Sequence, residues 1–217
     1  MSKIITASIL AADFANLAQD CHAALDAGVN WLHIDVMDNH YVPNLSFGAD
    51  ICKSLRKAGI NAPMDVHLMV ADPEKYIQRF APIQPEVIFI HPETCSDLNS
   101  VIEQIKNINS KVGLVYNPDQ AVELDADLLQ NIDYILIMSV FPGFAGQKFI
   151  PDSVAKIKNL KQHLQTIDRP IKIAVDGGVN TNNFAELASA GAEVFILGSA
   201  LFGSADYSAV LRSCRDH

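Results

Sequence analysis

The chain is poor in the features that mark several large classes of protein. No run reaches the roughly 18 consecutive apolar residues of a membrane-spanning helix. The start, Met1-Ser2-Lys3 before Ile4-Ile5-Thr6-Ala7, lacks the apolar segment and cleavage pattern of a secretory signal. A soluble cytoplasmic protein with no membrane partner is therefore expected. Cysteines number only four, Cys21, Cys52, Cys95 and Cys214, and none sits in a Cys-x-x-Cys pair, so a zinc ribbon or dithiol redox motif is excluded and the thiols read as reduced packing residues. Positive charge is scarce as well. Sixteen Lys and Arg face 25 Asp and Glu, for a formal net charge of -9, and no basic patch is available for nucleic acid or an acidic membrane surface. A small-molecule partner fits this balance. Finally, Ala11-Ala12-Asp13 stands where an open dinucleotide-binding sheet would carry Gly-x-Gly-x-x-Gly after its first strand.

What is present is a regular alternation. The 217 residues are 49% hydrophobic, enough for one large core, and no linker, low-complexity segment or composition shift marks a second domain, so residues 1–217 are expected to form one domain. Short apolar runs rich in β-branched residues alternate with amphipathic stretches. The eight runs are Ile4 to Leu10, Trp31 to Met37, Met64 to Met69, Val87 to His91, Val112 to Tyr116, Tyr134 to Val140, Ile171 to Val175 and Val194 to Leu197. Helix starts are predicted at Asp13, Asp72-Pro73, Asn117-Pro118, Pro151-Asp152 and Thr181-Asn182-Asn183, with helix-ending glycines at Gly28, Gly59 and Gly191. Eight units in 217 residues average about 27 each, near the lower limit for a closed (β/α)8 TIM barrel, an α/β fold. The glycine-rich turns Pro142-Gly143-Phe144-Ala145-Gly146, Gly177-Gly178 and Gly198-Ser199 follow the sixth, seventh and eighth runs, where such barrels bind phosphate.

Period two places His33, Asp35 and Met37 on one face of the second strand and Ile34 and Val36 on the other; Asp65, His67 and Met69 repeat the pattern on the third. Ala174-Val175-Asp176 puts another carboxylate at the end of the seventh. Singly, such a His reads as a hydrogen-bonded structural residue and such an Asp as a helix cap. Together, polar groups on the axis of a barrel would be costly unless they bound each other, a metal or a substrate. His33, Asp35, His67 and Asp176 are a sufficient set for one divalent ion, and their mixed nitrogen and oxygen character suits zinc, ferrous iron, manganese or cobalt.

The stretches Ala7-Ser8-Ile9-Leu10-Ala11-Ala12-Asp13-Phe14, His33-Ile34-Asp35-Val36-Met37-Asp38, Val42-Pro43-Asn44, Asp65-Val66-His67-Leu68-Met69, Met138-Ser139-Val140 with Pro142-Gly143-Phe144, and Val175-Asp176-Gly177-Gly178 strongly resemble ribulose-phosphate 3-epimerases, in order and over nearly the whole chain. The resemblance implies a ribulose-phosphate-binding TIM barrel that interconverts D-ribulose 5-phosphate and D-xylulose 5-phosphate in the pentose phosphate pathway. It implies metal ligands at His33, Asp35, His67 and Asp176, an acid/base pair at Asp35 and Asp176, and substrate contacts at Ser8, His67, Gly143 to Gly146, Gly177, Gly178, Gly198 and Ser199. The family pattern usually has glycine at Asn39 and phenylalanine at Tyr41; asparagine tolerates left-handed backbone, so the turn should survive. Ala145 stands for a common glycine but keeps its N–H.

The chemistry follows from the residues themselves. Inverting a carbon beside a ketone requires removing its proton, holding an enediolate and returning a proton to the opposite face, a task for two carboxylates. A divalent ion would stabilise the developing charge. Met37, Met69 and Met138 would exclude water, and Pro142 to Gly146, with Phe144, would form a mobile lid. The nearest alternative substrate is a six-carbon ketose phosphate such as allulose 6-phosphate, suggested by His91-Pro92-Glu93-Thr94 and Ala145. A phosphate-binding decarboxylase would carry Asp-x-Lys-x-x-Asp, and the second strand has no lysine. From another class, a catalytically silent sugar-phosphate-binding barrel would be expected to have lost the four ligands. Oligomeric state, including a homo-oligomer, is left open.

Overall fold

In the computed structural model, which describes residues 3–215, the eight apolar runs become eight parallel strands that close into a barrel in chain order. Met1, Ser2, Asp216 and His217, which the one-domain expectation includes, lie outside the described residues. The elements run β1 (Ile4–Ser8), α1 (Leu17–Asp26), β2 (Trp31–Met37), α2 (Ala49–Lys57), β3 (Met64–Met69), α3 (Ile77–Phe80), β4 (Val87–Ile90) and α4 (Leu98–Asn107). They continue β5 (Lys111–Tyr116), α5 (Ala126–Asn131), β6 (Tyr134–Met138), α6 (Asp152–Leu164), β7 (Lys172–Asp176), α7 (Phe184–Ala190), β8 (Val194–Leu197), α8 (Ser199–Phe202) and α9 (Tyr207–Arg215).

The strands are apolar on both faces because both faces are covered, and a separate core forms on each. Outward residues such as Ile5, Ile34, Val36, Val66, Leu68 and Ile135 pack against the helices. Inward residues, among them Val87, Phe89, Val115, Leu136, Ala174, Val194 and Ile196, fill the barrel. One close packing inside the barrel depends on a missing side chain: the Phe89 ring lies where a Cβ on Gly113 would stand. The two residues are register partners on β4 and β5.

Several boundaries differ from the sequence expectation. The first run ends at Ser8, and Ile9–Ala11 turns into a short 3-10 helix. The sixth ends at Met138 rather than Val140, and the fourth at Ile90 rather than His91. Asp13 is an N-cap, its side chain accepting from the Ala15 N–H, but for a 3-10 turn that precedes α1. Asp72-Pro73 likewise opens a 3-10 turn ahead of α3. The helix predicted after Asn117-Pro118 is absent. Those residues form a turn closed by Gln120 N–H donating to the Asn117 carbonyl at 3.1 Å, and α5 begins later, capped by Asp125. Proline after asparagine opens a turn as readily as a helix, and here the Lys156 ammonium fixes the turn by donating to the carbonyls of Asn117, Pro118 and Gln120. The starts of α2, α4, α8 and α9 have no predicted counterpart. Gly28, Gly59 and Gly191 end helices with left-handed φ of 111°, 88° and 118°. No helix of the described residues is long and apolar enough to cross a membrane.

Candidate active site

Parallel register builds the polar cluster. On β2 and β3, His33 lies beside Asp65, Asp35 beside His67, and Met37 beside Met69, so inward period-two positions on adjacent strands meet side by side. Asp176, the last residue of β7, reaches the same point from across β8 and β1. One ligand-type atom from each of His33, Asp35, His67 and Asp176 lies within 4.8 Å of the others. His33 Nε2 and His67 Nδ1 are 3.1 and 3.2 Å from Asp35 Oδ1, and both are 3.9 Å from Asp176 Oδ2. Four tetrahedral donors about 2.1 Å from a shared ion stand about 3.4 Å apart, so the cluster has the dimensions of a divalent site.

Each member is oriented from behind. Asp65 meets His33 Nδ1 through Oδ2 at 2.5 Å, while its Oδ1 accepts from Thr6 Oγ1 at 2.9 Å, both inside the barrel. Ser8 Oγ donates to Asp35 Oδ2 at 2.5 Å. Ser46 Oγ donates to the Asp35 carbonyl, and Ser139 Oγ to the carbonyls of Asp176 and Gly177, which secures both strand ends. His67 Nε2 turns away from the cluster toward His91 Nε2, 2.9 Å off.

The electrostatics are those of a site with too much negative charge for a dry interior. Burial alone would lower the basicity of His33, but Asp35 and Asp65 outweigh it and hold its pKa well above the ordinary value. Burial also opposes ionisation of Asp35, yet His33 and His67 hold its carboxyl far below the usual range. Asp176 goes the other way: burial, then the charge of Asp35, pushes it up to about 7. Burial brings His67 down to about 4, Asp35 only partly opposing, so His67 is a neutral imidazole at neutral pH.

Over this cluster opens a cleft at the C-terminal ends of the strands. Asp35 and Asp176 form its floor, and the expected substrate-side residues Ser8, Met37, Met69, Met138, Gly143, Phe144, Ala145, Gly146, Gly177, Gly178, Gly198 and Ser199 all line it. His33 and His67 are buried beneath. Neither lysine nor arginine lines the cleft among the described residues.

A family model for the ribulose-phosphate 3 epimerase family matches residues 4–202. Among curated proteins, a ribulose-phosphate 3-epimerase of Escherichia coli K12 is 43% identical over 98% of this chain and 94% of its own length. One from Serratia marcescens is 45% identical over 94% of this chain and 97% of its own. The chain belongs to the ribulose-phosphate 3-epimerase family. Among solved structures, KGPDC from Streptococcus mutans superposes with a TM-score of 0.69 at 11% identity, over 100% of this chain and 97% of that one, a likeness of fold alone.

Against the family pattern, Asn39 keeps its turn by adopting a left-handed φ of 59°. Ala145 is not among the residues of positive φ, so alanine sits in the loop without strain. That loop is tied down: Asn44 Nδ2 donates to the Gly143 carbonyl at 2.7 Å, and Gln147 Nε2 to the carbonyls of Phe141 and Phe144. Sequence reasoning places Asp65 on the inward face of β3 but gives it no role. The joining of His91, Tyr41, Glu93 and Asn117 behind His67 is not foreseen: Tyr41 enters the sequence reading only as a departure from the family pattern, His91 and Glu93 only within the segment tied to a six-carbon substrate, and Asn117 only as a helix start. Their spacing along the chain carries no pattern; only the closing of β4 and β5 brings them together.

Proposed function

We propose that the chain is a metal-dependent isomerase that interconverts D-ribulose 5-phosphate and D-xylulose 5-phosphate by proton transfer at C3. The observation that carries this reading is the convergence of Asp35 and Asp176, from strands separated by β8 and β1, on one four-donor cluster at the floor of a glycine-lined cleft. The donor set fits a divalent ion held by His33 Nε2, His67 Nδ1, Asp35 and Asp176, because two imidazoles and two carboxylates each bring a ligand-type atom within 4.8 Å of the others. Zinc, ferrous iron, manganese and cobalt all suit these ligands. When bound, such an ion supplies Lewis-acid stabilisation of negative charge on the substrate oxygens.

The chain's own residues do the rest. One of Asp35 and Asp176 removes the C3 proton from its side of the sugar, and the other returns a proton to the opposite face, so the substrate need not turn over. Ser8 fixes the Asp35 carboxylate by its hydrogen bond. Met37, Met69 and Met138 exclude water from the enediolate. With neither lysine nor arginine lining the cleft among the described residues, the backbone N–H groups of Gly177, Gly178, Gly198 and Ser199 hold the phosphate. The six-carbon alternative draws no support from His91 to Thr94, which do not line the cleft. The reading also places one domain, with four unpaired cysteines, in the cytoplasm.

The test is substitution of each acid. Asp35→Asn and Asp176→Asn should each remove nearly all turnover of ribulose 5-phosphate, while one of them still exchanges the C3 proton of one epimer with deuterated solvent. Unchanged epimerisation in either variant would refute the two-base reading.

A further inference from the structure

The two histidines of the cluster are held in different ways. His33 meets a carboxylate directly, at Asp65. His67 has no carboxylate at its rear nitrogen but another imidazole, His91, with His67 Nε2 and His91 Nε2 2.9 Å apart and both residues fully buried. Between two facing ring nitrogens only one hydrogen fits, so one donates and the other accepts. Which one it is decides whether His67 Nδ1, the nitrogen facing Asp35 and Asp176, carries a lone pair or a proton.

The groups behind His91 settle the direction. His91 Nδ1 lies 2.9 Å from Tyr41 Oη, and Tyr41 Oη lies 2.7 Å from Glu93 Oε1. Asn117 Nδ2 donates to both, at 2.8 and 3.0 Å, and leaves its own buried Oδ1 without a partner. The amide thus presents its donors to this pair at the expense of its acceptor. A carboxylate only accepts, so the one hydroxyl proton of Tyr41 goes to Glu93, and Tyr41 Oη is left to accept. His91 then donates from Nδ1 and accepts at Nε2, His67 donates from Nε2, and Nδ1 of His67 is free.

We propose that Tyr41 and Glu93 are positioning residues that act through His91 to keep the lone pair of His67 Nδ1 directed at the four-donor cluster. The inference rests on the metal-site reading above but concerns residues outside it. Glu93→Gln is the sharpest perturbation. It keeps the shape but offers an amide donor, which lets the Tyr41 hydroxyl turn to His91 Nδ1 and reverses every bond in the chain, placing a proton on His67 Nδ1. Tyr41→Phe removes the link and leaves His91 Nδ1 3.5 Å from Glu93 Oε1, a milder lesion.

The test uses the full chain labelled with 15N at histidine, together with zinc(II) titrated against a chromophoric chelator. In the metal-free wild type, two-bond 15N–1H correlations should show His67 as the Nε2–H tautomer. In Glu93→Gln the Nδ1–H form should become populated, zinc affinity should fall by roughly 10–100-fold, and Tyr41→Phe should fall between the two. Both variants take hydrogen bonds from this network, so their metal-free melting temperatures should fall somewhat; the readout that a merely structural role would not move is the His67 tautomer. An unchanged His67 tautomer with unchanged zinc affinity in Glu93→Gln overturns the proposal. Absence of zinc binding by the wild type would instead sink the metal-site reading, and the tautomer spectra would still decide the role of Glu93.

Discussion

Removing a carboxylate from the cluster should make the metal-free protein more stable. Asp176 has its pKa raised from 3.8 to about 7 by burial and by Asp35. The fold therefore favours the protonated form. Well below pH 3.8 the group is protonated whether the chain is folded or not, and it contributes nothing. Between about pH 4 and 7 the unfolded chain gives up the proton that the folded chain retains, so stability falls as pH rises, and above 7 the whole penalty is present. Three pKa units at 1.36 kcal/mol each set a ceiling of about 4 kcal/mol. The side chain is 15% exposed, and some solvent screening brings the expectation to about 3 kcal/mol. Asp176→Asn, an uncharged isostere, should thus raise the melting temperature of chelator-treated protein by roughly 6–12 °C at pH 8 and by little at pH 4. Scanning calorimetry of variant and wild type across that range measures the difference, in which the pH dependence of His33 largely cancels. A variant no more stable than the wild type at pH 8, or a gain independent of pH, would refute the argument. Catalysis and metal binding should be lost in the same variant, a direct exchange of stability for function.

Two other substitutions probe the scaffold. Gly113→Ala drives a methyl into the buried Phe89 ring and should cost roughly 1–3 kcal/mol in denaturant unfolding; because that ring centroid is 6.5 Å from the His33 ring, activity should fall too, and an unchanged midpoint would show that the ring has room to move. Asn44→Ala removes the hydrogen bond to the Gly143 carbonyl, worth about 1 kcal/mol; KM for the ketose phosphate should rise about fivefold and protease cleavage within residues 142–146 should quicken, whereas unchanged KM and cleavage would mean that Asn44 does not hold the loop.

Period two along β2 and β3 was legible without a structure, because a residue such as His33 between Leu32 and Ile34 has its direction fixed by pleating alone. The glycine turns after β6, β7 and β8 were legible for a similar reason, since their position in an eightfold alternation already names the end of the barrel on which they lie. The turn at Asn117 was misread because one dipeptide signals two structures, and the deciding partner, Lys156, arrives from α6. The support behind His67 was invisible for a related reason. Tyr41, His91 and Asn117 sit on three different connections, and only the register of the closed sheet makes them neighbours.

His33, Asp35 and His67 lie within hydrogen-bonded strands, and Asp176 ends one, so none of the four proposed ligands sits on a connection. Their spacing is inherited from the register of the closed barrel. On the metal-site reading proposed above, exchanging one divalent ion for another should require no refolding of these strands. A site of mixed nitrogen and oxygen donors fixed in this way would then take its ion according to supply as well as ligand type.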